Sequence, residues 1–201
     1  MHFTTRLAAF AITGTALIAS AMAQVNVTGT SLGRFNANAF TVNPNDTQTF
    51  LGLTFRGSTF NDTTSNNFVA FGSAANNPNV NNFGSFFLTT DQFTYTGNTF
   101  TLRLTFSSPS NSGGDFVANM LGSVSSVGGG GATVNFGAPQ TFNYAGGTFT
   151  VTVDNTNINP GFSAPITGHV TTQPVPEPAS MAAIGMGVVG LVAKRRKRKV
   201  A

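Results

Sequence analysis

Cysteine and tryptophan are absent from all 201 residues, and no lysine occurs before Lys194. Without cysteine the chain forms no disulfide and offers no thiolate to a metal or a substrate. Glutamate occurs once, as Glu177, and histidine twice. Between Gln24 and Gln173 three arginines (Arg34, Arg56, Arg103) stand against five aspartates (Asp46, Asp62, Asp91, Asp115, Asp154), a net charge of −2. The overall pI near 10.1 therefore belongs to the end of the chain, and the body has no basic patch for nucleic acid. Isolated aspartates and a single histidine in the body, His169, do not provide the paired titrating groups that acid–base catalysis requires. No catalytic residue, no metal ligand set and no cofactor is predicted, and the chain reads as a non-enzyme.

What the body does have is phenylalanine, 18 of the aromatics between Gln24 and Gln173, with Tyr95 and Tyr144 the others. They alternate with Thr, Asn and Gly, and no long window repeats apolar residues at helical spacing. Phe93 to Phe106 is predicted to form a hairpin about Gly97-Asn98, pairing Tyr95 with Phe100 and Phe93 with Leu102. The same rule pairs Tyr144 with Phe149 and Phe142 with Val151, and in a shorter copy Phe55 with Phe60. Further strands are expected at Val25–Thr30, Arg34–Val42, Phe68–Phe71, Ser85–Thr89, Phe116–Leu121, Thr133–Phe136 and Ile166–Thr171. Asn76–Asn82 and Ser107–Gly114 read as loops, and Gly128 to Gly131 as a flexible connector. These strands imply an all-β fold, an antiparallel β-sandwich of jelly-roll or immunoglobulin-like type over residues 24–171. With so few charges, its strand edges need another guard against pairing with a second copy.

Smaller motifs carry little. Asp154-Asn155-Thr156-Asn157 and Asn43-Pro44-Asn45-Asp46-Thr47 gather hard oxygens, but without calcium-loop spacing, so they read as turns. Asn26, Asn45 and Asn61 each begin a glycosylation triplet of a kind that Asn/Thr-rich chains produce by chance. Sugar-stacking Trp is absent and both Tyr fall on the expected core face.

The two ends are different in kind. At the start, Arg6, the mostly apolar run Leu7–Ala19 and Ala21-Met22-Ala23 have the form of a signal peptide over residues 1–23, cut between Ala23 and Gln24. The expected partners there are signal peptidase and the Sec translocon. At the other end, residues 172–178 form a stalk containing Pro176, Glu177 and Pro178. It leads into an apolar span at residues 179–193 and a basic tail at 194–201 with six consecutive cations, Lys194, Arg195, Arg196, Lys197, Arg198 and Lys199. Such a span is apolar on all sides as a helix and wants lipid. Its rise of about 22 Å, at about 1.5 Å per residue, is short of a hydrocarbon layer of roughly 30 Å, a gap that snorkelling cations and local thinning close. Six cations stop transfer and stay cytoplasmic, which places the body on the far side of the membrane. The prolines keep the tripeptide extended.

This order of Val175-Pro176-Glu177-Pro178-Ala179-Ser180, apolar span and basic end resembles the PEP-CTERM sorting signal of Gram-negative, matrix-forming bacteria. The resemblance implies processing by an exosortase-like membrane enzyme that recognises Pro176, Glu177 and Pro178. It implies transient inner-membrane anchoring with the body periplasmic, then delivery to the outer surface or extracellular matrix. The body also loosely resembles the choice-of-anchor β-domains found in some proteins with this signal. A structural, biofilm-associated role follows as the expectation, with exopolysaccharide kept open as a partner. A carbohydrate- or calcium-binding adhesion module is the alternative, and a secreted hydrolase the second.

Overall fold

The computed structural model describes residues 24–72 and 81–175. Among these residues every named strand pairing is antiparallel and no helix forms. The strands are β1 (Asn26–Phe35), β2 (Thr47–Phe50), β3 (Leu53–Arg56), β4 (Thr59–Thr63), β5 (Phe68–Phe71), β6 (Ser85–Leu88) and β7 (Thr99–Ser108). They continue with β8 (Ser112–Val124), β9 (Gly130–Phe136), β10 (Gln140–Tyr144), β11 (Gly147–Val153), β12 (Thr156–Ile158), β13 (Ser163–Pro165) and β14 (Gly168–Pro174). A six-stranded sheet has the order β12-β9-β8-β7-β1-β4, and two four-stranded sheets have the orders β10-β11-β14-β5 and β13-β6-β3-β2.

Period-two alternation decides which side of each strand is buried. In β1, Val27, Gly29, Ser31, Gly33 and Phe35 point inward, and in β7 Phe100, Leu102, Leu104 and Phe106 do the same. Both four-stranded sheets bring their rings against this one face. Phe55 and Phe86 meet Phe100 at centroid distances of 5.0 and 4.9 Å, while Phe71 meets Phe60 at 5.2 Å and Phe149 meets Phe106 at 5.1 Å. Tilted and edge-on geometries dominate, as the ring quadrupole favours. Gly33 makes room for this packing: a Cβ there would lie 2.5 Å from Phe55 Cε1 and 2.7 Å from Phe100 Cζ. The missing side chain lets two rings rest on the strand backbone, so Phe, the most abundant aromatic, is the natural partner for an inward glycine.

Several predicted pairings come out differently. Phe93 to Phe106 is no hairpin. Its turn closes with Asn98 N–H donating to Tyr95 O at 3.1 Å, centred on Thr96-Gly97, and only Gly97 of the two has positive φ (90°). A turn of that hand splays strands rather than folding them back. The chain therefore steps sideways and continues along β8: Thr94 bridges Ser123, and Thr99 lies opposite Asn119. Phe55 and Phe60 are likewise not paired, because β3 and β4 belong to different sheets and the chain crosses between them at Gly57-Ser58. Ser31 catches that crossing, donating its N–H to Ser58 O and accepting from Ser58 N–H at its Oγ. The β10–β11 hairpin does form, but with Phe142 opposite Phe149 and Tyr144 opposite Gly147, a register two residues tighter than Tyr144 opposite Phe149. A shift of two keeps every side chain on its face, and Phe142 stacks on Phe149 at 5.2 Å.

The remaining corrections concern boundaries. Val25–Thr30 and the start of Arg34–Val42 are one strand, which ends in a turn at Phe35–Asn38. Within Ser107–Gly114 only residues 109–111 lie outside strands. The glycine connector is a hairpin: Gly128 N–H donates to Ser125 O, and Gly130 and Gly131 belong to β9. β14 runs on through Pro174, taking Thr172 to Pro174 out of the stalk and into the sheet. The Asn76–Asn82 loop lies mostly outside the described residues.

The guard on the edges is side-chain oxygen, from amides, a carboxylate and a hydroxyl. On edge strand β4, Asn61 N–H is taken by Asn81 Oδ1 at 3.2 Å and Thr63 N–H by Asp62 Oδ1 at 2.8 Å. Past the reach of β4, β1 gives Gly33 N–H to Thr41 Oγ1 and Phe35 N–H to Gln48 Oε1. Asn155 Oδ1 takes Phe136 N–H at 2.8 Å at the end of β9. Each bond satisfies a backbone donor that would otherwise be free to recruit a foreign strand.

Candidate functional site

β14 is the strand that leads out of the domain. It lies inside its sheet between β11 and β5, with Val170 and Thr172 buried and His169, Thr171 and Gln173 on the other face. Pairing with β11 extends to Thr148 opposite Gln173 and Gly147 opposite Pro174. One residue later Val175 N–H donates to Gly146 O at 2.9 Å, in the turn that begins β11. In an antiparallel ladder the bonded pairs alternate, so Val175 and Gln173 face β11 while the missing N–H of Pro174 falls on the side of β5. There β5 has already ended, its pairing having begun at Phe68 opposite Thr171. Proline is tolerated at such a position because no ladder bond is lost.

Pro176, Glu177 and Pro178 thus follow immediately on a hydrogen-bonded residue. They lie outside the described residues, as do Ala23, the rest of the predicted signal peptide, the apolar span at 179–193 and Lys194, Arg195, Arg196, Lys197, Arg198 and Lys199. Gln24 is described and exposed. Among the described residues no helix is long and apolar enough to cross a membrane.

Several polar groups of the body are engaged in local structure. Asp46 Oδ2 accepts from Asn43 N–H at 2.7 Å, and Asp154 Oδ2 accepts from Thr167 Oγ1 at 2.8 Å. Asn155 caps Phe136, and Asn157 Oδ1 accepts from Thr133 Oγ1 at 2.8 Å. The two oxygen-rich stretches therefore serve turns and strand ends. Among the described residues no three His, Asp or Glu side chains cluster as a metal would need. His169 stacks on Phe68 across the strands, at 5.4 Å and 28°. The Asn26 and Asn61 triplets face one another in the β1–β4 ladder, with Thr28 Oγ1 lying 2.7 Å from Asn26 Oδ1 and 2.9 Å from Asn61 Oδ1. Tyr95 is fully buried and donates its hydroxyl to Leu51 O at 2.6 Å; burial pushes its phenol up, and Asp91 adds to the effect.

One charged cluster escapes sequence reasoning. Arg103 on β7 and Asp115 on β8 stand opposite each other and form a two-pronged pair, Nε to Oδ1 at 2.7 Å and Nη2 to Oδ2 at 2.8 Å. Phe40 lies against the guanidiniums of both Arg103 and Arg34, at 3.9 and 4.5 Å from the ring centroid. No spacing in the chain signals it, since Phe40 arrives from the loop after β1. Hydrogen bonding from Arg103, with smaller help from the charges of Arg103 and Arg34, holds the Asp115 carboxyl below the usual aspartate range. A carboxyl depressed in the folded state stabilises above its unfolded pKa of about 4 and loses that contribution as pH falls through its folded value. Both side chains are well exposed, so Asp115→Asn is expected to cost only about 0.5 kcal/mol near neutral pH. Unfolding curves of the two proteins are expected to converge as pH falls through the lowered range of the Asp115 carboxyl; a gap that stays constant through that acid range would deny the ion pair its role.

Against known proteins, residues 174–198 match the model described as the PEP-CTERM protein-sorting motif. The match starts at Pro174, the last residue of β14, and ends within the basic run. No curated protein and no solved structure matches the chain. The chain thus carries a PEP-CTERM sorting motif at its end, and that motif implies export, transient anchoring at the membrane and processing there by an exosortase-type enzyme.

Proposed function

We propose that this is a non-catalytic protein of the cell surface or extracellular matrix, structural and biofilm-associated, whose body waits on the periplasmic side of the inner membrane until its sorting signal is processed. In this reading signal peptidase cuts between Ala23 and Gln24 after Sec export. Pro176, Glu177 and Pro178 are recognised by the processing enzyme, and Lys194 to Lys199 hold the tail in the cytoplasm. The observation that carries it is the sorting motif beginning where the last strand of a phenylalanine-cored domain ends. The engagement of Asp46, Asp62, Asp115 and Asp154, and of Asn155 and Asn157, in turns, caps and one ion pair supports a structural role over a chemical one.

The finer architecture belongs to the same proposal: a β-sandwich of jelly-roll or immunoglobulin-like type, with a choice-of-anchor likeness. It draws support from two ring-lined sheets set against one face of a third. Mass spectrometry of the protein recovered from its native host tests the reading. The expected species begins at Gln24 and lacks the basic tail. Recovery of the intact chain from the cytosol, both ends uncut, would overturn it.

A further inference from the structure

The first strand and the last are tied to one turn. Val25 is held by Thr64, its N–H donating to Thr64 Oγ1 and its carbonyl accepting from Thr64 N–H, each at 2.9 Å. Thr64 opens the tight turn through Asn66 and Asn67, both at positive φ, and Thr172 N–H donates to Asn67 O on the far side of it. The same pole holds the loop after β7, where Ser108 Oγ donates to Asn26 O and Ser110 Oγ to Asn143 O. Neither these turns nor the two chain ends carry a charged side chain, although the body elsewhere carries three arginines and five aspartates.

From Val175 to Ala179 an extended chain covers only about 14 Å at about 3.4 Å per residue. A domain paired up to Val175 therefore brings this pole against anything that grips the tripeptide. An enzyme that takes a peptide in extended form needs residues on both sides of its target, and Gln173 to Val175 are committed to β11. Resting on the sorting function proposed above, we infer that this pole, which holds both ends of the body, is the face presented to the membrane-held processing enzyme, and that Gln173 to Val175 must leave β11 before Pro176 to Pro178 can be engaged. The structure favours this opening over a deeper one. Beyond Thr172 only β11 holds the strand, and Pro174 contributes no bond, so the end frays at the loss of a few backbone hydrogen bonds.

The absence of cysteine gives a clean test. Thr148 and Gln173 are Cα partners in a bonded antiparallel pair, where the usual separation of about 5.5 Å suits a disulfide. The doubly substituted full-length protein, Thr148→Cys with Gln173→Cys, is followed by pulse-chase in the native host. Oxidised, it is expected to mature at least roughly ten-fold more slowly than either single variant, and to recover on reduction; the release of one or two hydrogen bonds sets that scale. In a second variant four Gly/Ser residues inserted between Val175 and Pro176 leave the domain and the tripeptide-to-membrane distance intact, and maturation is expected to accelerate by a similar factor. Unchanged rates in the oxidised pair, or with the spacer, overturn the inference. Glu177→Ala runs alongside: if that variant matures normally the sorting reading itself fails, whereas a block there with unchanged rates in the others defeats only the requirement for β14 to open.

Discussion

Glu177→Ala is expected to leave full-length protein in the inner membrane, with mature protein at the surface reduced by about 30-fold or more. That is the scale of losing one desolvated charge contact of about 2 kcal/mol. The argument starts from scarcity, since Glu177 is the only glutamate of the chain. It stands between two prolines that fix their own φ and bias Val175 and Glu177 toward extended backbone. A tripeptide with one charge presents a single distinctive feature to an enzyme in the membrane, so removing that charge removes most of what can be read. Fractionation of the native host with an antibody against the body checks the result. Asp91→Ala, a charge removed far from the motif in sequence, is the control expected to sort normally. Surface delivery of Glu177→Ala at the unsubstituted level would take recognition away from the tripeptide and leave only the span and the cations.

Phe100→Ala carries the largest expected effect on stability. Its ring is fully buried and lies 5.1 Å from Phe35, 5.0 Å from Phe55, 4.9 Å from Phe86 and 6.3 Å from Phe136, so rings from four other strands, β1, β3, β6 and β9, meet at this residue. Truncation leaves a cavity that rigid neighbouring rings cannot close, at a cost of about 3 to 5 kcal/mol. Domains of this size have about 5 to 15 kcal/mol in all. Thermal unfolding of the purified protein is expected to shift downward by roughly 10 to 20 °C, and Phe100→Leu by less than half as much. A shift of only a few degrees would mean that the rings around position 100 repack freely, contrary to a core in which a glycine is needed to seat two of them.

How far the sequence alone could have led is clearest at the turns. The alternation of Phe with Thr identifies strands and their buried faces, because burial follows a period of two wherever the strand is placed. It is silent on which strand lies next to which. Phe93 to Phe106 has the same facial pattern whether the chain folds back at Gly97 or steps aside and runs on beside β8, and only the hand of the turn decides. The β10–β11 register shows the same blindness in milder form, since a slip of two residues preserves both faces. Phe55 and Phe60 look like hairpin partners, yet Ser31, distant in sequence, captures the crossing between sheets. The sorting signal is different: its three parts are contiguous, so the order Pro-Glu-Pro, apolar run and basic end is legible without any fold, and the family match spans that order. What the residues of the signal could not reveal is where β14 stops. That depends on the β10–β11 turn, whose Gly146 carbonyl holds Val175 N–H.

The amide oxygens that shield the strand borders have a consequence for the lifetime of the protein. Where water hydrolyses an asparagine amide directly, ammonia leaves and aspartate remains, whose carboxylate accepts a hydrogen bond as readily as the amide oxygen it replaces. At Asn81 and Asn155, where the oxygen alone does the capping, conversion to aspartate keeps the backbone donor satisfied and places like charges where two copies would meet. Ageing by that route would then make these borders more self-avoiding, and molecules so changed would resist edge-to-edge association at least as well as new ones.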